Sequence, residues 1–102
     1  MAAAHENVGL TPHAAGGLIL ALRQAIDTGR VHGQVPGTDS WYAPDPVPAS
    51  VEVHAEFAEM DQVVFVATRT ATGHLPIPVS VDGARTLIEA LQAGITHLAQ
   101  AN

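Results

Sequence analysis

Glu52, His54 and Glu56 alternate within the stretch Val51-Glu52-Val53-His54-Ala55-Glu56-Phe57. Successive side chains of an extended chain point to opposite faces, so positions i, i+2 and i+4 project together. An imidazole between two carboxylates on one face could ligate a hard or borderline divalent metal. A neighbouring carboxylate also favours the protonated ring, the property a general acid–base uses. The competing reading is a solvated strand face, where charged residues are the rule, with Glu52 paired to Arg69.

The other histidines are His5, His13, His32, His74 and His97, and no two of the six stand at H-x-H, H-x-x-x-H or H-E-x-x-H spacing. A composite site of His54 with His74 from a neighbouring loop remains open, as do scattered surface histidines. Cysteine is absent, which removes thiolate ligands, disulfides and a thiol nucleophile. No serine stands in G-x-S-x-G, and Gly16-Gly17 sit in a helical pattern without the lysine of a phosphate loop. The expectation is therefore no cofactor, with a divalent metal on Glu52, His54 and Glu56 as the alternative the residues leave open.

A second kind of chemistry is recognition. Trp41 and Tyr42, the only Trp and Tyr, are followed by Ala43-Pro44-Asp45-Pro46-Val47-Pro48, a composition that favours an extended polyproline-like segment. Aromatic side chains on such a segment are partner-binding candidates, and they could also seal the domain's own core. The partner-binding set comprises Trp41, Tyr42, Pro44, Pro46 and, on a strand, Phe65.

Charge narrows the partners. Ten acids against four bases give a net charge of -6, and the bases are all arginines standing singly, Arg23, Arg30, Arg69 and Arg85. Phosphate neutralisation needs clustered bases, so nucleic acid and anionic membrane surfaces are disfavoured. The first residues carry neither a basic n-region nor an apolar core of a secretory signal, and no apolar run is long enough to span a bilayer. A cytoplasmic location is the expectation. The expected partner is another protein or a second copy.

The elements that would position these residues can be read in turn. With 102 residues the chain fits one domain with a core of its own. Residues 1–9 read as a flexible start, with Val8 to Leu10 as a candidate short strand. Thr11 and Pro12 are a helix N-cap and first helical residue, and Gly29 is the C-cap of a helix over 11–28. Within it Gly17, Ala21 and Ala25 form a row of small residues that lets another backbone come close. Residues 30–50, with Gly33, Pro36, Gly37, Pro44, Pro46 and Pro48, read as a long irregular arm.

Residues 51–59 then alternate as a half-buried antiparallel strand, with Met60-Asp61 at a turn and a second strand over 62–70. Symmetric pairing about that turn would set Glu52 opposite Arg69 and Glu56 opposite Phe65. The run Val63 to Ala67 is apolar on both faces and should be covered on both, by a helix and by the arm or a second subunit. Leu75-Pro76-Ile77-Pro78-Val79 reads as a third strand, confined by its prolines to a sheet edge. Ser80 caps a final helix over 80–99, buried along Ala84, Leu87, Ile88, Leu91, Ile95 and Leu98.

The two helical units align without a gap when Thr11 is set on Ser80. Ala15, Leu18, Ile19, Ala21, Leu22 and Ile26 fall on Ala84, Leu87, Ile88, Ala90, Leu91 and Ile95. This is either an internal duplication or convergence on the best helix formers. The hairpin followed by V-S-x-x-x-A-x-x-L-I-x-A-L, over roughly residues 51–98, resembles a module of small actinobacterial and actinophage proteins of unknown function. That resemblance implies no activity.

The expected architecture is α+β, a small three-stranded, mainly antiparallel sheet with two helices on one face. The expected function is that of a non-enzymatic accessory or interaction protein, homodimeric or a subunit of a larger assembly. The alternative is a small metal- or ligand-dependent enzyme or binder using Glu52, His54 and Glu56.

Overall fold

The computed structural model describes residues 8–39, 47–56, 62–70 and 73–100. The chain is α+β, with elements in the order α1 (Pro12–Thr28), β1 (Arg30–Asp39), β2 (Val47–Glu56), β3 (Val63–Thr70), β4 (Gly73–Ser80) and α2 (Val81–Gln100). The strands form one antiparallel sheet in the order β1-β2-β3-β4, and both helices pack on one side of it and on each other.

Each helix begins where a hydroxyl takes up a free N–H. Thr11 Oγ1 accepts from Ala14 N at 3.1 Å with Pro12 opening α1, and Ser80 Oγ accepts from Gly83 N at 3.0 Å at the start of α2. Gly29, at φ 69°, ends α1 in the left-handed conformation that glycine adopts without strain, and its N–H bonds Ala25 O at 2.9 Å. Apolar residues at helical spacing on α1, with Ala84 and Ile88 of α2, meet Val31, Val35, Val51, Val53, Ala55 and Val64 of the sheet in one core. Leu18, Ile19, Leu22 and Ile26 of α1 and their counterparts Leu87, Ile88, Leu91 and Ile95 of α2 face this same core, but α2 is less covered: Leu22 is fully buried, Leu91 only half-buried and Ala90, the counterpart of Ala21, exposed.

The sheet has four strands, not three. The arm expected over 30–50 is strand over 30–39 and again from Val47. The alternation was present in Val31, Gly33 and Val35, but glycines and Pro36 obscured it. α1 comes close to β1 at two glycines: a Cβ on Gly33 would stand 3.2 Å from Ala21 Cβ, and one on Gly17 would stand 3.2 Å from Val35 Cγ1. The small-residue row of α1 therefore lies against β1. A Cβ on Gly16 would meet nothing within 4 Å. Gly16→Ala is expected to raise stability by about 1 kcal/mol through helix propensity. Gly17→Leu is expected to lower it by about 1–3 kcal/mol through overpacking, with urea denaturation as the measurement for both.

The β2–β3 register also differs from a symmetric hairpin. Glu52 lies opposite Ala67 and His54 opposite Phe65, an offset of two residues. A two-residue slip keeps every side chain on its face, so the face assignments survive. Phe57, Met60 and Asp61 lie outside the described residues, as do Trp41, Tyr42, Pro44 and Pro46.

Both outer strands are poor templates for a further strand. Thr38 exchanges main-chain hydrogen bonds with Gly9 (2.7 and 2.9 Å), the short N-terminal pairing expected near Val8 to Leu10. Even-numbered residues of β1 thus direct their main chain away from β2. Carried through the registers, this alternation directs the even residues of β4 away from β3. Pro36, Pro76 and Pro78 all occupy outward positions, where a missing N–H costs the sheet nothing. At Arg30 the Thr28 hydroxyl takes a strand's place, accepting from Arg30 N at 3.2 Å and lying 2.9 Å from Arg30 O.

Candidate functional site

The side of the sheet away from the helices carries the candidate residues. Two adjacent rows cross it, His32–His54–Phe65–Pro78 and Gln34–Glu52–Ala67–Pro76, each built from direct strand partners. His32, His54, Phe65, Pro76 and Pro78 are exposed, whereas Ala67 is only 5% exposed at the bottom of the face. The helix side of β3 is covered, with Val64 fully buried, and Phe65 on the other side is 43% exposed.

Glu52 is the polar centre of this face. Its Oε1 lies 3.1 Å from Arg69 Nε and its Oε2 3.6 Å from His74 Nε2. The expected Glu52–Arg69 pair is present, reached diagonally across the ladder. Such a pair near the surface contributes at most about 1 kcal/mol, so its role is to orient. Beside it Gln34 Nε2 donates to Ser50 Oγ at 3.0 Å, satisfying a serine that is 8% exposed. The His32 and His54 rings stand 5.5 Å apart between centroids, tilted by 49°. His32, Glu52, His54, Phe65, Ala67, His74 and Pro76 together line a notch of about 150 Å³.

Glu52, His54 and Glu56 share this face, as their alternation requires. The carboxylate of Glu52 is engaged with Arg69 and His74, and no group of three or more His, Cys, Asp or Glu among the described residues is placed to hold a metal ion. His74 joins His54 around the notch, as the composite reading allowed, but from β4 and through Glu52. His32 is outside the sequence expectation for this site, because Gly33, Pro36 and Gly37 mask the strand that carries it. The donor geometry predicts that added Zn²⁺ leaves the thermal midpoint unchanged to within about 1 °C. A rise of several degrees that His54→Ala abolishes would instead establish a metal site.

Fold and face together define a small α+β domain, one side of its sheet covered by helices and the other bare among the described residues. No family model matches the chain, and no curated protein or solved structure matches it. No helix of the described residues is long and apolar enough to cross a membrane.

Proposed function

We propose that the protein works by binding a protein surface, its own or a partner's, as an accessory or interaction subunit and not as an enzyme. The observation that carries this reading is where large apolar side chains are exposed. Leu20, Phe65, Leu75, Ile77 and Leu98 are the exposed ones among the described residues, and three of these five lie on the adjacent strands β3 and β4. Leu75 and Ile77, at 45% and 47% exposure, look to the helix side beyond the cover of α2, while Phe65, Pro76 and Pro78 look to the bare side. Apolar surface gathered at one edge of the sheet, on both faces of β3 and β4, marks an interaction site where scattered exposed residues would not. Trp41, Tyr42, Pro44 and Pro46 join this proposal on sequence grounds, as aromatic and extended-segment recognition elements.

The test is the native mass of the chain, both purified and in an extract of the cells that make it. The wild type should run above the 10.6 kDa of one chain in at least one setting, and a Phe65→Ser, Ile77→Ser double variant should return to monomer mass. Both positions are nearly half exposed and outside the buried core cluster, and circular dichroism establishes that the variant keeps its fold. A wild type at monomer mass in both settings would sink the proposal.

A further inference from the structure

We infer that the bare sheet face is a two-fold interface between copies of this chain, with Phe65 of each copy seated in the notch over the other copy's Ala67. This inference rests on the interaction reading above and specifies its partner. Strand addition at the sheet edges is obstructed by Pro36, Pro76 and Pro78 and by the Gly9 and Thr28 contacts, so association through a face is favoured over association through an edge.

Shape selects a second copy. Phe65 is a knob, and two residues along the same strand Ala67 is the floor of a hole. The notch of about 150 Å³ is of the size that admits a benzene ring. Consider a two-fold axis lying in the interface, perpendicular to the strands and passing between the two rows. It sets each residue of one row opposite its i+2 neighbour in the other copy. Phe65 then meets Ala67, Pro78 meets Pro76, His54 meets Glu52 and His32 meets Gln34, each contact made twice. Such an isologous surface is complementary to itself, and the arrangement is that of two antiparallel sheets packed face to face.

Charge agrees with shape. The chain carries -6 overall, yet the face holds Arg30 and Arg69 against Glu52 and Glu56, so apposing two faces brings no net charge together. Four strands about 4.8 Å apart and eight residues of about 3.4 Å give a face of roughly 500 Å² per copy. The total of roughly 1,000 Å² is at the lower bound for a specific interface, which points to a reversible dimer.

The experiment is sedimentation of the purified full chain over about three decades of concentration around the micromolar range. The wild type should pass from one to two chain masses. Phe65→Ala and Ala67→Phe should each weaken association about tenfold or more, the first by removing the knob together with one wall of the notch and the second by filling the hole. Because positions 65 and 67 face each other across the axis, the exchanged double variant Phe65→Ala, Ala67→Phe should regain association. Circular dichroism establishes that each variant is folded. Should Ala67→Phe and the exchange lose their fold, Phe65→Ala alone decides. A purified wild type that stays monomeric overturns the inference, while the interaction reading survives if the extract shows a Phe65-dependent assembly. A dimer indifferent to Phe65→Ala overturns it as well. Weakened folded single variants that the folded exchange fails to rescue overturn the two-fold placement.

Discussion

Shortening Leu22 to alanine is expected to remove about 3 kcal/mol of stability, within the 2–5 kcal/mol typical of a buried leucine. Leu22 is fully buried on the core face of α1, the helix that contacts β1, β2, β3 and α2. A void there has walls on several elements at once, and a collapse that closes it from one side opens it from another. A domain of this size holds about 5–15 kcal/mol in total, so the loss is a large fraction and should lower the thermal midpoint by about 15 °C. Urea denaturation with the wild-type slope gives the measurement. Leu20→Ala on the same helix, at 67% exposure, should stay within about 0.5 kcal/mol and controls for helix propensity. Leu91→Ala, at the equivalent position of half-buried α2, should cost less than Leu22→Ala. Equal losses at Leu22 and Leu91 would mean that the helices share the core evenly, contrary to the placement of α1 at its centre.

The helices were legible because their signals are local. Thr11-Pro12 and Gly29 bound α1, Ser80 starts α2, and the apolar spacing states which side is buried, except at Leu98, expected in the buried stripe of α2 but 48% exposed. β2, β3 and the edge position of β4 were legible too, through alternation and through Pro76 and Pro78. β1 was not. Its inward residues are Val31, Gly33 and Val35, and Gly33 is a glycine because Ala21 of α1 stands so close, a tertiary cause with no local trace. Pro36 looked like a breaker, but its nitrogen points outward, and that parity belongs to the assembled sheet. The candidate site inherited both the success and the miss. Glu52, His54 and Phe65 lie on legible strands and were placed on the correct face. His32 and the Gln34–Ser50 bond came only with β1, and the diagonal reach from Glu52 to Arg69 only with the true register. The notch over Ala67 needs four strands in register, so no single stretch of sequence announces it.

Replacing Pro76 and Pro78 together by valine should turn β4 into a strand that recruits others. In the wild type the outward positions of β4 are His74, Pro76, Pro78 and Ser80, and the central two have no N–H to offer. Two valines would restore two donors in the middle of the edge. Each ladder hydrogen bond to an incoming strand is worth about 1 kcal/mol net, so the pair adds about 2 kcal/mol, or roughly 30-fold in an association constant. Valine also suits an extended strand better than proline, and Leu75 and Ile77 already supply exposed apolar neighbours. An unbroken apolar edge of this kind templates intermolecular sheet. The double variant is therefore expected to form large, sheet-rich, thioflavin-binding assemblies at concentrations where the wild type forms none. Light scattering against concentration follows the change. The Phe65→Ala substitution made in the same background should not prevent it, because the edge and the face are separate surfaces. If the valines instead raised the thermal midpoint and left association unchanged, the proline nitrogens would have to point toward β3, and the parity carried from Thr38 through the three registers would be wrong.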